Sequence, residues 1–231
     1  LRKRNRGPCI MKFTTFAASA ALALAPMAAS AVTATISGTV TAVPPEGTGA
    51  NENDFISDME GWLGTSTLGL LTFGEVSLDT AGGLVFTELA SESGFSNEFT
   101  AGGTTMTEPS DIPWDTGDET ITLGGLSAGD VTGLGFTSIS SGAVAAPSGS
   151  EGFAIFFDAT GLSPTIGDDM FELSGLTKFI LAYDDQGSDP DDNHDDYVIG
   201  VQVVPVPFGV VLLGSAFVAA GAVRRFGRAA A

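Results

Sequence analysis

The sequence predicts a mainly β protein. An antiparallel β-sandwich or jelly-roll-like body is expected between an N-terminal signal helix and a C-terminal transmembrane helix. Three observations predict it. Residues 32–43 alternate apolar and polar with period 2, the spacing of a half-buried strand. Further short runs rich in Val, Ile, Thr and Phe are separated by clusters of Gly, Ser, Asp and Pro, which is strand and turn chemistry. Sustained helical apolar character is confined to the two ends.

Residues 1–31 are expected to be a signal peptide. Met11 and Lys12 open a basic start, and residues 13–26 are small and apolar. Ala29-Ser30-Ala31 then supplies the small side chains that signal peptidase accepts, with cleavage after Ala31. Residues 1–10 read as an upstream extension ahead of a good start at Met11. The apolar run falls short of the ~20 residues that span a bilayer, which favours a signal over an anchor.

The body is expected over residues 32–203, long enough for one domain with a core of its own. After 32–43, strands are expected at 68–73, 83–88, 120–123, 131–138, 152–158, 177–183 and 197–203. Residues 90–118 read as a long polar, partly disordered loop. The 16 Phe of the chain, most of them in the body, can fill the core.

Charge is distributed unevenly. The chain carries 28 Asp and Glu against 9 Lys and Arg, a formal −19. All 28 acids lie between Glu46 and Asp196, where Lys178 is the one base, so the middle of the chain is a polyanion of about −27. Nucleic-acid binding is excluded as a function, because it needs Lys and Arg to neutralise phosphates. A phosphate-cradling nucleotide site is disfavoured on the same ground. With Cys9 and His194 each the sole residue of its type, no Cys/His zinc site and no intrachain disulfide can form. An exported fold without disulfides must rely on core burial, or on metal ions in place of covalent staples.

One run stands out. Residues 184–196 hold seven Asp in thirteen positions, between two strand-like segments. Such a hairpin loop repels itself unless it stays extended in water or holds a cation. Ca²⁺ fits best, since it takes six to eight oxygens in irregular loops. Asp189, Asp191 and Asn193 have the 1, 3, 5 spacing of an EF-hand, with Asp195 at position 7. Position 6 is His194 and position 12 is Gly200, so the run is no EF-hand. It is similar instead to acidic runs near the end of bacterial surface β-domains. The expected Ca²⁺ ligands are Asp184, Asp185, Asp189, Asp191, Asn193, Asp195 and Asp196. A plain solvated acidic turn is the alternative, and His194 is expected to be exposed within it.

The C-terminal segment, 204–231, has three parts. Val204-Pro205-Val206-Pro207 is followed by an uncharged apolar run, 208–223, and by Arg224, Arg225 and Arg228. Sixteen residues at ~1.5 Å rise make a helix of ~24 Å, somewhat short for a ~30 Å hydrocarbon core. The arginines would stay in the cytoplasm. This order resembles the PEP-CTERM/VPLPA-CTERM sorting domain of exported proteins of Gram-negative bacteria. The match departs at Val206, where that family has Leu, and at Phe208, where it has Ala. The resemblance implies an exosortase-type membrane enzyme as processing partner, and it implies nothing about the fold of the body.

The expectation is therefore a non-enzymatic cell-surface or extracellular-matrix protein. It would be exported, handled by signal peptidase, held in the inner membrane by its C-terminal helix, then sorted to the cell surface or beyond. Ca²⁺ would bridge its carboxylates to exopolysaccharide. A carbohydrate-binding module is the alternative, with Trp62, Trp114, Tyr183 and Tyr197 as stacking platforms. A glycoside hydrolase is the weaker one, because among 28 acids a carboxylate pair can always be found.

Overall fold

The structure, a computed structural model, describes residues 31–47, 52–93, 96–108, 114, 119–139, 145–185 and 194–205. The expected signal segment up to Ser30, the apolar run 208–223 and the terminal arginines lie outside the described residues. So do Asp189, Asp191, Asn193, Val206 and Pro207. Among the described residues no helix is long and apolar enough to cross a membrane.

The body is mainly β and its strands pair antiparallel. The elements in order are β1 (Ala34–Thr41), α1 (Ile56–Leu63), β2 (Leu68–Leu78), β3 (Gly82–Ala90), β4 (Asn97–Ala101), β5 (Thr104–Thr107) and β6 (Thr120–Leu126). There follow β7 (Gly129–Asp130), β8 (Gly135–Ser138), β9 (Ala145–Pro147), β10 (Phe153–Asp158), β11 (Phe171–Leu176), β12 (Lys178–Tyr183) and β13 (Tyr197–Val204). The larger sheet runs β11-β1-β2-β10-β12-β13-β3-β6, with β7 beside β2. The smaller runs β5-β4-β8-β9.

The middle of the large sheet is buried on both faces, which explains the unbroken apolar runs of β10 and β12. Phe153, Ile155, Phe157, Phe179, Leu181, Tyr183, Tyr197, Ile199 and Val201 point into one core, shared with Phe99, Met106 and Phe136 of the small sheet. The alternate residues Ala154, Phe156, Ile180, Ala182 and Val198 point into a second core, beneath Phe55, Met59 and Leu63 around α1. The period-2 geometry of each strand makes this division.

Aromatic rings connect the sheets. Phe136 of β8 stacks on Tyr183 of β12 with centroids 5.2 Å apart and planes 3° from parallel. It also meets Phe99 at 5.0 Å, Phe153 at 5.6 Å and Tyr197 edge-on at 6.0 Å.

Three expectations need correction. Helix α1 lies inside the body, where no helix was expected. It has only eight residues, too few for a periodic signal to stand out. Phe55 at its N-cap, Met59 and Leu63, spaced by four, nevertheless make one buried face. The supposed loop 90–118 contains the β4–β5 hairpin, turned by Gly102 and Gly103 at φ 57° and 80°, as a two-residue turn with both central residues at positive φ requires. Finally, β11 was not expected. Its residues are largely exposed, so it carries little apolar pattern.

Candidate functional site: an interior carboxylate cluster

The hairpin expected across the acidic run is present. β12 and β13 pair from Lys178↔Gln202 to Tyr183↔Tyr197. This register brings Asp184 and Asp185 to one side of the hairpin's open end and His194, Asp195 and Asp196 to the other. The end of β3 and the start of β4 arrive at the same place. Val198 pairs with Ala90, and Ser91, Glu92 and Ser93 follow.

The described acids at the two ends of the run face mostly inward. Asp184, Asp185 and Asp195 are buried, and so is His194, at a left-handed φ of 57°. The expectation of an exposed histidine is therefore corrected. Two acids that sequence reasoning passed over, Glu88 and Glu108, are each 3% exposed and belong to the same end.

The groups interlock. Ser91 Oγ donates to Glu108 Oε1, and Ser93 Oγ donates to Asp185 Oδ2. The Asn97 amide sits between them. Its backbone N–H donates to Glu108 Oε2 at 3.0 Å and its Nδ2 donates to Asp185 Oδ2 at 3.3 Å. The Asp185 N–H donates to Asp196 Oδ2 at 2.7 Å. The Asp54 N–H donates to Asp195 Oδ2 at 3.3 Å, and the Glu92 N–H donates to the Asp195 carbonyl at 3.2 Å. Tyr197 Oη donates to Glu88 Oε1 at 3.0 Å.

Burial sets the proton affinities. Loss of hydration pushes the Glu108 carboxyl up to about 7, against the bonds from Ser91 and Asn97 that favour its anion, and the charge of Asp185 pushes the same way as burial. Asp195 is also raised, by burial first and then by the charge of Glu92. The Tyr183 and Tyr197 phenols are raised too, mainly by burial and then, for Tyr183, by Asp185 and, for Tyr197, by Glu88.

Of the expected Ca²⁺ ligands, the structure brings Asp184, Asp185, Asp195 and Asp196 to the hairpin end. Asp189, Asp191 and Asn193 lie outside the described residues. Among the described residues, no three His, Cys, Asp or Glu side chains are already arranged to hold a metal ion.

Two of the four expected sugar platforms are withdrawn from solvent, while Trp62 and Trp114 are half-buried. Tyr183 and Tyr197 are fully buried. Trp62 and Trp114 pack against the second core, Trp114 with its ring centroid 6.0 Å from that of Phe55. Comparison with known protein families, with characterised proteins and with solved structures finds no match to this chain.

Proposed function

We propose that this chain is an exported, non-enzymatic surface or extracellular-matrix protein with a β-sandwich body of jelly-roll type. It is anchored in the inner membrane by the helix at 208–223 and handed to an exosortase-type enzyme for sorting. The observation that carries this reading is the order Val204-Pro205-Val206-Pro207, apolar run, Arg224-Arg225 and Arg228. The signal-peptide pattern ending at Ala29-Ser30-Ala31 supports it.

The body's charge fits the same role. Once both ends are removed, 28 acids face one base, Lys178. Such a surface stays soluble by self-repulsion, and Ca²⁺ bridges it to acidic polysaccharide.

Localisation tests the reading. Deletion of residues 204–231 should redistribute the protein from membrane and surface fractions into the periplasm or medium. An unchanged distribution would overturn the sorting claim.

A further inference from the structure

Three clefts on the surface of the body join into one groove. The first, about 380 Å³, lies among Phe73, Met170 and Glu172. It shares Ser37 and Glu75 with a second, about 390 Å³, which also takes in Thr132 and Ser148. The second shares Asp130, Val131 and Thr132 with a third, about 570 Å³, bounded by Thr122 and Gly102. From Phe73 to Ser77 alone the groove follows β2 for about 13 Å at ~3.3 Å per residue. That exceeds one sugar ring or one side chain, so the groove is shaped for a chain molecule.

Its walls are tied to the sheet. β7 pairs with β2 at Ser77↔Asp130, and the Val131 N–H donates to the Val76 carbonyl at 2.9 Å. On the same strand, the Gly149 N–H and Ser148 Oγ both donate to the Gly74 carbonyl, at 2.8 and 2.9 Å. A groove built this way needs little ordering when it is filled.

Phe73 is the second observation. Its backbone takes a left-handed φ of 53°, yet its ring is exposed. A bulky residue is strained in that region, and a ring left in water recovers little of the cost by packing. Strain of this kind collects where a side chain must face a ligand. Met170, 89% exposed, lines the same cleft.

The lining selects the occupant. Ser37, Thr132 and Ser148 carry hydroxyls, and Glu75 and Asp130 are exposed carboxylates that only accept hydrogen bonds. An anionic polymer would be repelled. A peptide that adds a strand needs a free ladder, whereas β1 and β2 beneath the groove both lie inside the sheet. Neutral sugars meet both demands. Their hydroxyls donate to carboxylates, and the C–H face of a pyranose meets the electron-rich face of an aromatic ring.

We propose that this groove holds a strand of neutral polysaccharide, with one sugar stacked on Phe73 and the following ones hydrogen-bonded along Glu75, Ser148, Thr132 and Asp130. The contact is direct and distinct from calcium bridging to acidic polysaccharide. It rests on the extracellular-matrix reading only for where such a glycan would be met.

The test is isothermal titration of the full chain, in micelles of a polyoxyethylene detergent with no sugar head group, with EDTA present. The probes are cellohexaose, maltohexaose and their disaccharides, with hexamannuronate and hexalysine as charged controls. At least one neutral hexasaccharide should bind, and at least tenfold more tightly than its disaccharide. Phe73→Asn should weaken that binding about tenfold while raising Tm, and Phe73→Tyr should keep it. Asp130→Ala, at an exposed position further along the groove, should weaken it several-fold. Because calcium and the tail play no part, failure here leaves bridging and sorting untouched, and their failure leaves this result standing. No binding of either hexasaccharide, equal affinity for the disaccharide, or full affinity in Phe73→Asn would each overturn the proposal. So would hexalysine or hexamannuronate binding through Phe73 in place of the neutral glycans, which would give the groove to a charged partner.

Discussion

The Trp62 indole lies so close to Gly200 that a Cβ at position 200 would stand 2.7 Å from Trp62 Cζ2 and 2.9 Å from Leu89 Cδ1. The helix α1 can rest on the large sheet because β13 has no side chain at that point. Gly200→Ala should therefore lower stability by about 1–3 kcal/mol, the usual cost of overpacking a filled core. Trp62→Ala made in the same chain should recover part of that loss, since the two residues share one volume. Denaturant midpoints of the two single variants and the double variant measure this. A neutral Gly200→Ala would show that α1 does not seat on β13.

Phe136 is where the two sheets meet. It touches Phe99 within its own sheet and Phe153, Tyr183 and Tyr197 of the other. Phe136→Ala should cost about 3–5 kcal/mol, and Phe136→Leu clearly less. Near-ultraviolet circular dichroism of Phe136→Leu should show weaker tyrosine bands, because Tyr183 loses its stacked neighbour. Unchanged bands would contradict the stacking.

Phe73 interrupts the regular pairing of β1 with β2. The register shifts between Ser37 and Thr39, and Phe73 takes a left-handed φ of 53° with 45% of its surface exposed. A bulky residue is strained in that region, whereas Asn tolerates it. Phe73→Asn should stabilise the chain by up to about 1 kcal/mol and Phe73→Val should destabilise it. The order of the three melting temperatures is the readout, and Val above Asn would refute the strain.

Asp79 ties the start of the body to β11. Thr33 and Thr35 donate to its two carboxylate oxygens, and the Gly175 N–H donates at 3.4 Å. These bonds, Thr33 first, hold its carboxyl below the ordinary 3.8. The unfolded chain therefore takes up this proton first as pH falls. Stability from Asp79 is fully present above about 3.8 and is lost as pH drops through the lower folded value. The wild type should be more stable than Asp79→Asn at pH 6, and the gap should close below pH 4. A gap that stays constant with pH would rule out this linkage.

Much of the body was legible because its strands carry their own pattern. The runs around β1, β10, β12 and β13 alternate or are continuously apolar, and each lies where the pattern places it. Gly102-Gly103 between Phe99 and Met106 was a hairpin signal that the polarity of its surroundings concealed. α1 was too short to be read, and β11 too exposed. The candidate site was half legible. The run 184–196 announced its acids, but nothing local tells that Asp185 turns inward. Glu88, Asn97 and Glu108 join it only through strand register, and sequence spacing carries no record of that. His194 was misjudged for the same reason, since its acidic neighbours suggested solvent and the fold supplied an interior.

The last described strand is not an edge. β13 lies between β12 and β3, paired as far as Val204↔Gly83, and Pro205 follows at once. Tension on the chain beyond Pro205 therefore pulls lengthwise on a strand held by two ladders. Those bonds must slip together in shear, whereas an edge hairpin would peel open one bond at a time. A load at this exit is spread across the centre of the large sheet, which makes the body mechanically suited to being held by its C-terminal end.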